Sequence, residues 1–142
     1  MDKIKVLFVC VHNSARSQMA EAILQQEGGN TFLAESAGLE PGTLNPYVIQ
    51  ALQEIGIDIN NKKTNDVFTF FQEGRKYDYV ITVCDKTVAE RCPVFPGALK
   101  TIAWSFADPS QFTGTQAEVL EQVRVVRNQI KLQIQEFIAE VW

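Results

Sequence analysis

The segment Cys10-Val11-His12-Asn13-Ser14-Ala15-Arg16-Ser17 places a thiol and a guanidinium five residues apart, with a hydroxyl directly after the guanidinium. It leaves an apolar run and enters a stretch of helical periodicity, so it reads as a strand-to-helix loop. A loop of this length can curl with its backbone N–H groups pointing inward, where they add to the free N–H groups and positive end of the following helix. The outcome is a cradle for an oxyanion. Arg16 offers a planar fork for two oxygens of a tetrahedral anion, and the same positive field lowers the Cys10 thiol pKa below the free value of about 8.5. Cys10 is therefore expected to be a nucleophile at neutral pH, Ser17 to donate to its sulfur, and Asn13 to support the loop or the thiolate. Val11, His12, Asn13, Ser14, Ala15, Arg16 and Ser17 together form the expected substrate-binding surface. The plainer alternative makes Cys10 a small buried hydrophobe, Ser17 a helix cap and Asn13 a turn residue tolerant of unusual backbone angles.

The elements that must position this loop follow from periodicity. Ile4 to Val9 is β-branched and bounded by polar residues, as a strand buried on both faces would be. Met19, Ala20, Ile23 and Leu24 recur at helical spacing until Gly28-Gly29. A short strand is expected near Phe32 to Ser36, then a loop from Gly38 to Leu44. Asn45-Pro46 reads as an N-cap with proline in the first turn, opening a helix that ends near Gly56. Val67 to Phe71 suits a short helix, and Tyr79 to Val83 is a second buried β run. Leu99 to Trp104 is a plausible fourth strand, and Glu118 to Trp142 carries apolar residues at helical spacing over its whole length. Strands alternating with helices imply a three-layer α/β/α fold on a four-stranded parallel sheet, with ligands at the carboxyl ends of the strands, where Cys10 lies.

The 142 residues suit one domain, residues 1–142, and their 46% hydrophobic and 21% charged content is that of a globular chain. Thirteen Lys and Arg against 17 Asp and Glu give a net charge of −4, which excludes a general basic field for nucleic acid or anionic membrane, so any anion site is local. The longest apolar run, Val6 to Val11, is far short of the roughly 20 residues that span a bilayer. A cytoplasmic monomer without cofactor or metal is expected. An odd count of three cysteines fits poorly with a secreted disulfide framework, so Cys10, Cys84 and Cys92 need another reason.

The loop, together with Glu35-Ser36-Ala37-Gly38-Leu39, Asn45-Pro46, Gly56-Ile57-Asp58-Ile59 and Asp108-Pro109, resembles the thioredoxin-coupled arsenate reductases of the low-molecular-weight protein tyrosine phosphatase superfamily. The resemblance runs almost end to end. It implies that Cys10 attacks arsenate, that Cys84 attacks the Cys10 adduct and releases arsenite, and that Cys92 then takes over Cys84 in a disulfide. An external reductant such as thioredoxin, glutaredoxin or a low-molecular-weight thiol would reopen that bond. The chemistry is consistent with the residues themselves, because reducing arsenate needs two electrons, two thiols supply them, and no flavin, haem or nicotinamide fingerprint is present. Cys84 closes the third strand, whose end is expected beside that of the first.

The resemblance also lifts Asp108 to a general acid for a leaving oxygen, against the alternative of a turn aspartate before proline. It matches Asn13, Glu21, Ser36 and Asp66 to positions where some members bind potassium, although Glu21 and Asp66 read equally well as solvated helix charges. His12, the single histidine, is given no role beyond its place in the loop. Two departures stand out: Cys84 and Cys92 are separated by seven residues where about six are expected, and position 15 is Ala where some relatives carry cysteine. The competing activity is a phosphatase using Cys10, Arg16, Ser17 and Asp108, which leaves Cys84 and Cys92 without chemistry.

Overall fold

Residues 6–10 are buried one after another in the first strand, β1 (Ile4–Cys10). Successive side chains on a strand point to opposite faces, so an unbroken buried run requires cover on both sides of the sheet. The computed structural model describes residues 3–83, 91–95 and 97–142. It shows a three-layer α/β/α arrangement around four parallel strands in the order β2-β1-β3-β4, with β2 (Phe32–Gly38), β3 (Tyr79–Thr82) and β4 (Lys100–Ala103). The expected strands are all present, with β2 two residues longer than read and the third and fourth each shorter by one or two. Burial follows position: central β1 has no exposed side chain after Lys5, whereas β4, at the edge, is exposed at three of its four residues.

α1 (Arg16–Gly28) and the last helix, α4 (Gln116–Val141), pack on one another, and α2 (Pro46–Gln53) packs on α4. The apolar spacing read from the sequence is the face α4 buries: Val119, Leu120, Val123, Val126, Ile130, Ile134 and Phe137. Its start is set by a capping box in which Thr115 and Glu118 bond each other's backbone N–H, at 3.2 and 3.3 Å. Asn45 caps α2 as expected, accepting from the Tyr47 N–H at 2.9 Å, and α2 stops at Gln53 rather than near Gly56. α3 (Val67–Gln72) is capped by Asp66. Ion pairs of Glu54 with Arg124 and the buried Arg127 tie the end of α2 to α4. The core between these layers includes Phe8, Phe32, Met19, Leu52, Ile81, Ile130 and Ile134, all under 2% exposed. Each is worth roughly 1.5–3 kcal/mol of transfer free energy, which makes the sheet a rigid base for whatever its carboxyl end carries.

Candidate active site

β1 ends at Cys10, whose register partner is Gly38 at the end of β2. A side chain at Gly38 would put its Cβ 2.7 Å from the Val11 carbonyl oxygen and 2.8 Å from the Asn13 nitrogen, so only glycine lets the two segments meet. Past Gly38 the chain bonds along the loop: Leu39, Glu40 and Gly42 N–H groups donate to the carbonyls of Cys10, Val11 and His12 at 3.2, 2.8 and 2.9 Å. In a trans peptide the N–H points opposite the carbonyl. Turning those carbonyls toward residues 39–42 therefore turns the amides of Val11, His12 and Asn13 the other way, into the cradle.

The Cys10 sulfur lies at the cradle floor. It accepts from the Asn13 N–H at 3.1 Å and lies 2.7 Å from the Ser17 hydroxyl oxygen. The Asn13 amide decides which way that second bond runs. Its Oδ1 accepts from Gln18 Nε2 at 3.1 Å and from the Asn65 N–H at 2.8 Å, so its Nδ2 is the group that donates to Ser17 Oγ at 2.8 Å. With Oγ already accepting, the Ser17 proton is directed at the sulfur. Donors aimed at a sulfur favour its charged form. Asn13 holds this arrangement at φ 54, a left-handed backbone that asparagine tolerates better than most residues. Both readings of Asn13, turn former and thiolate support, therefore apply.

The start of α1 differs from the other described helix starts. Asn45, Asp66, Asp108 and Thr115 each cap a helix through a side chain, whereas Ala15, at the head of α1, has none to offer. Its first-turn N–H groups and positive end face the same volume as Cys10. Arg16 is 12% exposed, donates from Nη1 to the Phe106 carbonyl at 3.1 Å and sets Nη2 3.5 Å from Asp108 Oδ2. Asp108 serves two purposes at once. Its Oδ1 accepts from the Ser110 N–H and hydroxyl at 3.0 and 2.8 Å, capping the turn Pro109–Gln111, while Oδ2 faces Arg16. Beside the cradle, a groove of about 460 Å³ runs between Ser14, Tyr47, Pro109 and Phe112.

His12 points outward, exposed, with Nδ1 2.9 Å from the Glu40 carbonyl. Cys92 is half-buried against the core, its thiol 3.6 Å from the Pro93 carbonyl, and burial pushes it from 9.0 up to about 11. Cys84 lies outside the described residues. β3 does run beside β1, with Thr82 opposite Val9, so the strand that leads to Cys84 ends next to Cys10. The four positions matched to potassium do not gather as its ligands. Buried Glu21 bonds the Ser36 hydroxyl at 2.7 Å and pairs with the Lys62 ammonium. Asp66 is turned to the amides of α3, and Asn13 Oδ1 already has two donors. Lys62 thus supplies the positive charge on Glu21, and no step below is routed through a metal.

Several residues that build the site were not singled out from the sequence as such: Gly38 for close approach, Gln18 and Asn65 for fixing the Asn13 amide, and the Phe106 carbonyl for holding Arg16. Gly38 had a readable signal, a glycine ending a small-residue strand next to the nucleophile's strand. The others act through backbone atoms or across 52 and 90 residues of sequence, where spacing carries no information.

Comparison with known proteins agrees with this geometry. The family model described as low molecular weight phosphotyrosine protein phosphatase matches residues 5–141. The arsenate reductase of Bacillus subtilis is 35% identical over 137 residues, 96% of each chain, and that of Halalkalibacterium halodurans is 38% identical over 138 residues, again 96% of each. Among solved structures, an arsenate reductase in the phosphate-binding state superposes with a TM-score of 0.78 at 30% identity, covering 98% of this chain and 99% of its own. A thioredoxin-dependent arsenate reductase of Corynebacterium glutamicum does so with a TM-score of 0.66 at 29% identity, covering 94% of this chain and 63% of its own. The chain belongs to the low molecular weight phosphotyrosine protein phosphatase family, on the side of it where the similar curated proteins are arsenate reductases.

Proposed function

We propose that this protein reduces arsenate to arsenite by a three-thiol cascade and is regenerated by an external dithiol such as thioredoxin. The observation that carries the reading is the Cys10 sulfur held between the Asn13 N–H and the Ser17 hydroxyl, under an uncapped helix start and beside Arg16. Arsenate enters with its oxygens on the loop amides and the Arg16 fork. The Cys10 thiolate attacks arsenic, and Asp108, 3.5 Å from Arg16, donates the proton with which the displaced oxygen leaves as water. Arg16 gives up the Phe106 carbonyl for the anion, exchanging a neutral acceptor for a charged one.

The Cys84 thiolate then attacks the Cys10 sulfur. The Cys10–arsenic bond breaks with its electron pair on arsenic, which leaves as arsenite, and a Cys10–Cys84 disulfide remains. Two thiols have lost two electrons and arsenic has gained two. Cys92 next attacks Cys84, freeing Cys10 as a thiolate and leaving a Cys84–Cys92 disulfide for the reductant. The raised Cys92 pKa gives the order of events a physical basis, since a buried, protonated thiol stays out of the chemistry until its surroundings change.

A phosphatase would use the same Cys10, Arg16, Ser17 and Asp108, with the groove between Tyr47 and Phe112 for an organic group. It gives Cys84 and Cys92 nothing to do, and the similar curated proteins named above are reductases. Arsenite production by the purified protein decides the matter, measured in parallel with thioredoxin and its reductase and with glutathione plus glutaredoxin. Turnover with thioredoxin is expected. Hydrolysis of para-nitrophenyl phosphate without any arsenite would make the phosphatase reading the better one.

A further inference from the structure

Eight large apolar side chains are exposed among the described residues, and three of them adjoin the surface at Cys92: Phe68 at 42%, Phe71 at 41% and Val94 at 86%. Phe68 and Phe71 stand one turn apart on α3, Val67–Gln72, a surface helix without a single charged residue. The Phe71 ring meets Phe95 edge-on at 5.8 Å, and Phe95 in turn meets buried Tyr77 at 5.2 Å. Three chain steps separate Phe95 from Cys92, so the two lie within about 11 Å. Val94, between them, points to solvent. Arg91, exposed on the other side of Cys92, gives this apolar surface a positive margin. An uncharged aromatic helix, an outward valine and a half-buried thiol thus form one continuous face, although nothing in the arsenate site requires it.

Resting on the reductase reading, we infer that the face of Phe68, Phe71 and Val94 is the docking surface for a protein dithiol reductant, which it seats over Cys92. Contiguous exposed apolar groups on a monomer mark contact sites, and aromatic anchors carry most of the binding energy in small transient interfaces. A small charged thiol gains little from such a face. A folded dithiol protein with an apolar rim around its reactive sulfur and an anionic border gains from both the rings and Arg91. In the exchange, the reductant's thiolate attacks Cys92 Sγ of the Cys84–Cys92 disulfide, forming a mixed disulfide as Cys84 leaves as a thiolate and takes up a proton. The reductant's second thiolate attacks its own sulfur in that bond and frees Cys92, which is protonated in turn. Two electrons and two protons pass from the dithiol to this protein.

The test uses Phe68→Asp and Val94→Asp in the full chain, each placing a charge on the face without touching the cradle. Asp in the first turn of α3 is compatible with that helix, and Val94 is almost fully exposed, so folding is preserved. Arsenite turnover driven by purified thioredoxin with its reductase is expected to lose at least tenfold in kcat/KM in each variant, chiefly through KM. Turnover driven by dithiothreitol, which needs no docking, stays within twofold of wild type. Normal kcat/KM for thioredoxin in both variants overturns the docking surface and leaves the reductase reading intact. A wild-type dimer at micromolar concentration that Val94→Asp dissolves assigns the face to a second copy and also overturns the proposal. Absence of arsenite from wild type with dithiothreitol removes the reductase reading itself, and this inference with it.

Discussion

Cys10 and Cys92 are the same residue type in one small molecule, and their surroundings treat the sulfur in opposite ways. Cys10 has a backbone N–H at 3.1 Å, a hydroxyl whose proton is directed at it, a helix start and a guanidinium nearby. Cys92 has the edge of the core, aromatic neighbours and a carbonyl at 3.6 Å, which can only accept a proton. Burial is common to both, so burial does not set the reactivity. What differs is the sign of the groups that face the sulfur: donors at Cys10, which favour the thiolate, and an acceptor with apolar cover at Cys92, which favours the thiol. A relay through several cysteines needs this inequality, because equal thiols would compete for the first electrophile.

Removing one side of the comparison altogether has the largest effect. Cys10→Ser is expected to abolish arsenite formation. Arg16→Ala is expected to lower kcat/KM by about a hundred- to a thousandfold, the usual cost of losing a donor that holds developing charge, while keeping a thiol that still alkylates. Steady-state arsenite formation and iodoacetamide labelling of the two variants check this. Near wild-type turnover in either one would remove the nucleophile and oxyanion assignments together.

Exchanging the later thiols separates the steps. Cys84→Ser is expected to release no arsenite, since no internal thiol remains to displace the Cys10 adduct. Cys92→Ser is expected to release one equivalent and stall, with Cys10 and Cys84 joined in a bond inside the loop that a protein reductant reaches poorly. Mass mapping after one equivalent of arsenate reads the linkages directly: Cys84 with Cys92 in wild type, Cys10 with Cys84 in Cys92→Ser. Wild-type rates in both variants would make the two cysteines packing residues.

The Cys10 side of this contrast was legible in the sequence because its chemistry is compressed into eight consecutive residues between a strand and a helix, where local periodicity fixes the geometry. The sheet was legible for a related reason: β1 is apolar at every inner position, and only cover on both faces explains such a run. The surroundings of Cys92 were not. Phe71, Tyr77 and Phe95 meet through tertiary packing, and a raised thiol pKa is a property of burial that no spacing of residues announces. Asp108 was legible as two alternatives, and the structure gives one oxygen to each. The potassium match failed through Lys62, 41 residues from Glu21 in the sequence and in contact with it in the fold.

The Cys92 side can be tested by pH. Its thiol titrates at about 11 rather than 9.0, so near neutrality it holds about a hundredfold less thiolate than an exposed cysteine, and alkylation in the folded, reduced protein is expected to be slower by about that factor. The sign for stability follows from proton counts. Between pH 9 and 11 the unfolded chain has released this proton and the folded one has kept it, so the unfolded state binds fewer protons and stability falls as pH rises through that window. Mapping alkylated Cys92 by mass spectrometry from pH 7 to 11 gives the midpoint. A midpoint at or below 9 would cancel the contrast with Cys10.

The finest test removes one donor from the Cys10 side without touching sulfur, arginine or acid. Asn13 fixes the Ser17 proton on Cys10 through its amide and, separately, holds the loop at φ 54. Asn13→Gly removes the amide but keeps backbone freedom at positive φ, whereas Asn13→Ala removes the amide and adds the strain of a left-handed alanine, about 1 kcal/mol. Ser17 is left free to rotate in both, and a hydrogen bond to a charged sulfur is worth about 1.5 kcal/mol at its weaker end, or about tenfold in rate. The two variants are therefore expected to lose a similar factor, near ten, in arsenate kcat/KM, with only Asn13→Ala also losing thermal stability. Thiol titration of Cys10 in Asn13→Gly should move toward the free cysteine value at the same time. If Asn13→Gly kept full activity while Asn13→Ala lost it, the residue would matter only for its backbone angle, and the donors that set Cys10 apart from Cys92 would reduce to the loop amides and the helix start.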